Sequence, residues 1–111
     1  MNAINRVQLT GNLGSNPQIR SFDDGGKLAR FSIATKEEYT NRNGERNTNV
    51  QWHNAVAWGK LADKIENELQ KGSYVSVEGR LATRSYTDKS GVKRYSTEVV
   101  VSDVMLNKRA V

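Results

Sequence analysis

A chain of 111 residues with a net charge of +5, from 17 Lys and Arg against 12 Asp and Glu, suits one compact domain and leaves no room for a second. With no cysteine and a single histidine, disulfides, thiolate metal sites and histidine metal clusters are excluded, and an unexported, cytoplasmic setting is the default. The start, Met1-Asn2-Ala3-Ile4-Asn5-Arg6, has no apolar signal core, and no run approaches the ~20 apolar residues that span a bilayer.

Period-two alternation opens the chain. Val7, Leu9, Gly11 and Leu13 alternate with Gln8, Thr10 and Asn12, which predicts a strand with one buried face before Gly14-Ser15-Asn16-Pro17 breaks it. After Ile19-Arg20, the turn-rich Phe22-Asp23-Asp24-Gly25-Gly26 leads into a second run, in which Ala29, Phe31, Ile33 and Thr35 oppose Arg30, Ser32, Ala34 and Lys36. The polar stretch from Thr40 to Asn49, with Asn43-Gly44 inside it, predicts a protruding hairpin tip. A third strand, about 50–58, carries Trp52 and Trp58. Its other parity, Gln51, His53, Ala55 and Ala57, is small or polar and marks a core face weakly.

From Lys60 to Lys71 the period lengthens: Leu61, Ile65 and Leu69 recur at steps of four, the signature of a short amphipathic helix. Gly72 is placed to cap it, with Lys71 at the negative end of the helix dipole. Alternation resumes over 74–83, with Val75, Val77, Gly79 and Leu81 on one face and Ser76, Glu78, Arg80, Ala82, Arg84 and Tyr86 on the other. Asp88-Lys89-Ser90-Gly91 is a further turn, and the Thr- and Val-rich run 94–104 makes the last strand. Five strands with a helix between the third and fourth predict an all-β fold, a five-stranded Greek-key oligonucleotide-binding (OB-fold) barrel over 1–107, with a short basic end at 108–111. Within long strands, Gly11 and Gly79 read equally as barrel bends or as edge bulges.

The even spacing of Trp52 and Trp58 puts both indoles on one face of a strand. Tyr39, Trp52, Trp58 and Tyr86 lie outside obvious apolar runs, as base-stacking platforms would; ordinary packing is the competing reading for each alone. Phe22, Phe31, Tyr74 and Tyr95 alternate with core positions or border turns and are read as packing residues. Arg20, Arg30, Lys36, Arg42, Arg46, Lys60, Arg80, Arg84, Lys89, Lys93 and Arg94 fall mostly on outward parity or hairpin tips, within reach of phosphates, where solubility is the alternative. The carboxylate pairs Asp23-Asp24 and Glu37-Glu38 point to opposite faces in a strand, and Asp23-Asp24 reads as turn chemistry. No phosphate loop, nucleophile elbow or catalytic triad pattern is present, so neither a catalytic site nor a metal site nor a cofactor is expected.

In chain order, Asn5-Arg6-Val7-Gln8-Leu9-Thr10-Gly11-Asn12-Leu13-Gly14, Trp52-His53-Asn54, Trp58-Gly59-Lys60-Leu61-Ala62, Lys71-Gly72-Ser73, Val77-Glu78-Gly79-Arg80-Leu81 and Tyr95-Ser96-Thr97-Glu98-Val99 closely resemble the bacterial single-stranded DNA-binding protein family. The match spans nearly the whole chain. The resemblance implies an OB barrel that assembles, usually as a homotetramer with a dimer as the alternative, and wraps single-stranded DNA without sequence preference in replication, recombination and repair. It implies base stacking by Tyr39, Trp52, Trp58 and Tyr86, with Tyr at the outer two places where Trp is familiar and Trp58 in place of a common Phe. It also implies that His53 lies near a subunit interface. Family members commonly continue into a flexible linker and an acidic tip that recruits replication proteins, whereas this sequence ends in Asn107-Lys108-Arg109-Ala110-Val111; either such a tail was removed or this is a naturally tailless relative, and these residues do not themselves support recruitment of replication proteins through a tip. The main rival is a protein-docking relative resembling primosomal accessory proteins; a nuclease on the same barrel ranks far lower, for want of a metal site.

Overall fold

The structure, a computed structural model, describes residues 3–107; the expected basic end at 108–111 lies outside the described residues. Six strands and one helix follow in the order β1 (Val7–Leu13), β2 (Gln18–Ser21), β3 (Lys27–Thr40), β4 (Arg46–Trp58), α1 (Lys60–Glu68), β5 (Tyr74–Thr87) and β6 (Lys93–Leu106). The hydrogen-bonded order is β1-β5-β6-β4-β3-β2, and a further β1–β3 pairing closes the five long strands into a barrel. The extra strand β2 pairs only along the β3 edge, from Gln18 opposite Arg30 to Ser21 opposite Lys27. The expected five-stranded barrel is therefore present with a short flap added to it, and the helix falls between β4 and β5.

The core forms where inward parity from each strand converges: Leu13, Ala29, Phe31, Ile33, Ala55, Ala57, Val75, Val77, Val99 and Val101 are buried together. Ala55 and Ala57 resolve the weakly marked face of β4: both are buried, Ala55 opposite Phe31, for whose ring its small side chain leaves room, and Ala57 opposite Ala29. Helix α1 plugs one end of the barrel with Ala62 and Ile65, and Leu69 just beyond it completes the plug. Outside, Lys27 Nζ lies 2.7 Å from Asp63 Oδ1 and 2.8 Å from Glu66 Oε1, tying the start of β3 to the helix. Those two carboxylates, Asp63 before Glu66, raise the Lys27 pKa above its ordinary value.

The helix ends at Glu68, three residues before the expected Lys71, and Gly72 is not its cap. Leu69 is extended, with φ −109° and ψ 145°, so the chain leaves the helix as soon as its last core contact is made. Gly72, at φ +89°, instead serves a tight turn in which the Ser73 amide donates to the Gln70 carbonyl and the Gly72 amide donates to the Leu13 carbonyl. Pairing with β1 outcompetes another half-turn of helix.

β3 with β4, and β5 with β6, continue past the barrel as two-stranded arms. Their register runs without interruption to Thr40 opposite Arg46 and to Thr87 opposite Lys93. The polar stretch before Val50 is thus paired strand, and the loop shrinks to the tip. The radius of gyration, 16.4 Å, exceeds the roughly 13 Å of a compact chain this long because of these arms. Three turns share one plan: in Phe22–Gly26, Asn41–Glu45 and Asp88–Val92 the first residue's amide donates to the fifth carbonyl, and a glycine at the fourth place (Gly25, Gly44, Gly91) takes positive φ. At two of the tips the first side chain reinforces the turn: Asn41 Oδ1 accepts from the Asn43 and Glu45 amides, and Asp88 Oδ1 from the Ser90 and Val92 amides.

Barrel closure brings backbone against backbone at two seams. A Cβ on Gly11 would stand 2.0 Å from the Ala34 carbonyl oxygen, and one on Gly79 would stand 2.1 Å from that of Val100, where the β5–β6 register shifts. Close approach, with a bulge at Gly79, decides the two readings open for these glycines. Gly11→Ala is expected to lower unfolding free energy by ~1–3 kcal/mol or more, as forced overpacking does; an unchanged denaturant midpoint would contradict this seam geometry.

Candidate nucleic-acid interface

Residues facing one another across a sheet ladder share a side, so the registers assign each side chain to a face. Trp58, Val56, Asn54 and Trp52 of β4 stand opposite Leu28, Arg30, Ser32 and Ala34 of β3. Val56 stands opposite Val100 of β6, which places Arg80, Arg84 and Tyr86 of β5, with Glu98 and Arg94 of β6, on the same outer surface. Across β2 the surface continues to Gln18 and Arg20. One continuous face therefore carries both indoles, 61% and 56% exposed at Trp52 and Trp58, and the Tyr86 ring, 47% exposed. Six residues of strand separate the two Trp by about 20 Å.

Each indole has a backing. Gly14 lies beneath Trp52: a Cβ there would come within 2.3 Å of the ring carbon Cζ3 and 3.2 Å of Ser32 Oγ. Trp58 stacks on Phe22, with centroids 6.0 Å apart and planes 18° from parallel, and the Arg20 guanidinium carbon stands 5.2 Å from the centroid of the Phe22 ring.

Between the aromatics, Glu98 organises the charge. Its side chain, 14% exposed, meets Arg30 Nη1 at 3.2 Å and Arg84 Nε at 3.7 Å. One carboxylate holds two guanidiniums and neutralises one, so the cluster keeps a unit of positive charge fixed in place. Beside it runs an open groove of about 370 Å³ whose lining includes Gln18, Ser32, Asn54 and Ser96 with the three charged groups. Polar walls with a surplus cation suit an extended anionic chain that has unpaired hydrogen-bonding edges.

The other expected residues occupy several parts of the fold. Lys36 and Arg46 lie on the Trp face of the β3–β4 arm, by their registers opposite Val50 and Thr40. Arg42 and Lys89 sit at the two hairpin tips, and Lys60 opens α1. Arg94 is on the shared face, but its Nε donates to Asp88 Oδ2 at 2.6 Å; this bond first, and the Val92 amide next, lowers the Asp88 pKa. Tyr39, 54% exposed, pairs opposite Asn47 on the reverse side of its arm, away from both Trp. Lys93 is likewise on the reverse side of the β5–β6 arm, its Nζ 5.7 Å from the Tyr95 ring centroid. His53 is half-buried on inward parity, its Nε2 2.9 Å from Thr35 Oγ1. Among the described residues no group of three or more His, Cys, Asp or Glu side chains is placed to hold a metal ion, and no helix is long and apolar enough to cross a membrane.

Two of the four expected packing aromatics behave differently. Phe31 is buried and Tyr74 half-buried, but Tyr95 is 67% exposed and Phe22 packs on Trp58 at the surface, outside the core cluster. Tyr95 has core parity, in step with Val99, yet the barrel stops near Val99 and the arm has no interior to receive it.

The Single-strand binding protein family matches residues 4–107. This chain belongs to that family. A "Single-stranded DNA-binding protein 1" from Chlorobaculum tepidum is 42% identical over 104 residues, which cover 93% of this chain and 64% of that protein, so the chain spans less than two-thirds of its relative's length. In fold, the chain matches a Plasmodium falciparum SSB solved in complex with ssDNA, with TM-score 0.90, 31% identity and coverage of 97% of this chain and 98% of that one.

Because Gly14 seats the Trp52 ring, Gly14→Ala is expected to displace it. Near-ultraviolet circular dichroism should change while far-ultraviolet ellipticity holds, and an unaltered aromatic spectrum would contradict the seat.

Proposed function

We propose that this protein binds single-stranded DNA without sequence preference, shielding it in replication, recombination and repair, and makes no covalent change to it. The observation that carries this reading is the outer face on which Trp52, Trp58 and Tyr86 surround the Arg30–Glu98–Arg84 cluster and its groove. Rings at intervals along the surface stack bases whatever their identity, since every base has a π face, while guanidiniums between the rings meet phosphate oxygens. Tyr39, on the reverse of its arm, contributes to the same path where the strand passes around the β3–β4 hairpin. Arg20, Arg30, Lys36, Arg46, Arg80 and Arg84 are the phosphate contacts best placed for that path; Arg42, Lys60 and Lys89 extend it at the tips and the helix start. Arg94 contributes less, being held by Asp88. The family name and the ssDNA complex of the Plasmodium SSB support the reading. We assign the protein to the nucleoid-associated cytoplasm, in keeping with its lack of cysteine and of an apolar signal core, and, as the sequence resemblance implies, to a homotetramer, with a dimer as the alternative and His53 near a subunit interface.

Two substitutions test the site. Trp52→Ala and Trp58→Ala should each weaken binding of a fluorescein-labelled oligo(dT) by ~1–3 kcal/mol, with thermal unfolding little changed because both rings are exposed. Arg80→Ala should flatten the slope of log K against log salt by ~0.7, the share of one phosphate contact on a single strand. Unchanged affinity in both Trp variants, or an unchanged slope, would contradict the assignment.

A further inference from the structure

We propose that Phe22 is a positioning residue for Trp58: the Arg20–Phe22–Trp58 stack fixes the indole plane before nucleic acid arrives, making the β2–β3 turn part of the binding surface. The inference rests on the proposed single-strand binding for its consequence, though not for its geometry.

Register puts Arg20, Leu28 and Trp58 in one row across β2, β3 and β4. Leu28 in the middle is buried, yet stands outside the main core cluster. Phe22 follows β2 by one residue, at the first position of the turn whose amide donates to the Gly26 carbonyl at 2.8 Å, so a closed backbone turn fixes where its ring begins. The ring then lies near both ends of the row, 6.0 Å from the Trp58 centroid and 5.2 Å from the Arg20 guanidinium carbon. Near-parallel offset stacking and a cation against a ring face are both favourable contacts.

An exposed indole on a strand samples several side-chain rotamers, and a base docking on it must first select one. Phe22 removes that selection while leaving Trp58 more than half exposed for a base. Trp52 reaches the same state by another route, on the bare backbone of Gly14. The flap strand β2 adds nothing to barrel closure, but it carries Arg20 and the root of Phe22 to the edge where Trp58 ends β4.

The test uses Trp52→Phe as background, leaving Trp58 the sole tryptophan in a chain that has two. Phe22→Leu keeps an apolar side chain and removes the ring; Phe22→Tyr keeps the ring. In the free protein, Phe22→Leu should lower Trp58 fluorescence anisotropy and raise its quenching by acrylamide, and it should weaken labelled oligo(dT) binding about 2- to 10-fold, the worth of one aromatic pair. Phe22→Tyr should restore both. Unchanged Trp58 mobility in Phe22→Leu overturns the proposal, as does weakened binding without a change in mobility. If Trp58→Ala still weakens binding in that event, single-strand binding stands and only the positioning role falls. Failure of the unaltered protein to bind oligo(dT) contradicts the function instead, and the free-protein mobility still judges the stack.

Discussion

Closing five strands into a barrel this small forces main chain against main chain, and Gly11 and Gly79 are where that contact is made. A side chain at either position would enter a neighbouring carbonyl. Once the seams close, each strand's alternation is committed: one parity fills the interior with Val, Ile, Leu and Ala, and the other is turned outward. The outward parity of β4 holds Trp52 and Trp58, so the pleat that buries Ala55 and Ala57 also exposes the indoles. Core and exposed aromatic face are two sides of one constraint.

An exposed aromatic whose orientation is already held costs less to bind against than a mobile one, and the structure supplies local supports. Gly14 lets Trp52 lie against the backbone, Phe22 stacks on Trp58, and Glu98 fixes Arg30 and Arg84 between them. Net charge alone says little, since carboxylates already occupy several cations: Asp88 holds Arg94, and Asp63 with Glu66 holds Lys27. At the Glu98 cluster two guanidiniums share one carboxylate, and a fixed positive charge remains beside an open groove.

Alternation and turn chemistry make most of this architecture readable in the sequence. The long strands, the Asn43-Gly44 and Ser90-Gly91 tips and the Trp pair on one face follow from patterns whose physics is local. What stays hidden depends on contacts distant along the chain. The helical pattern runs on to Lys71 because nothing local shows that Gly72 and Ser73 pair with Leu13. Tyr95 reads as internal because parity cannot reveal where a barrel stops and an arm begins. Phe22, on the border of a turn, and Gly14, inside a strand break, give no sign of the indoles that fold onto them, and the short strand β2 is masked by its Pro17 and Phe22–Gly26 flanks.

The most direct test of the central claim is a heteronuclear NMR titration of the protein with oligo(dT). The account predicts that both indole N–H resonances and the amides around Arg30, Asn54, Arg84 and Ser96 shift together, while the exposed side of α1, from Asp63 to Asn67, stays unperturbed. Shifts concentrated on α1, with both indoles unmoved, would contradict it.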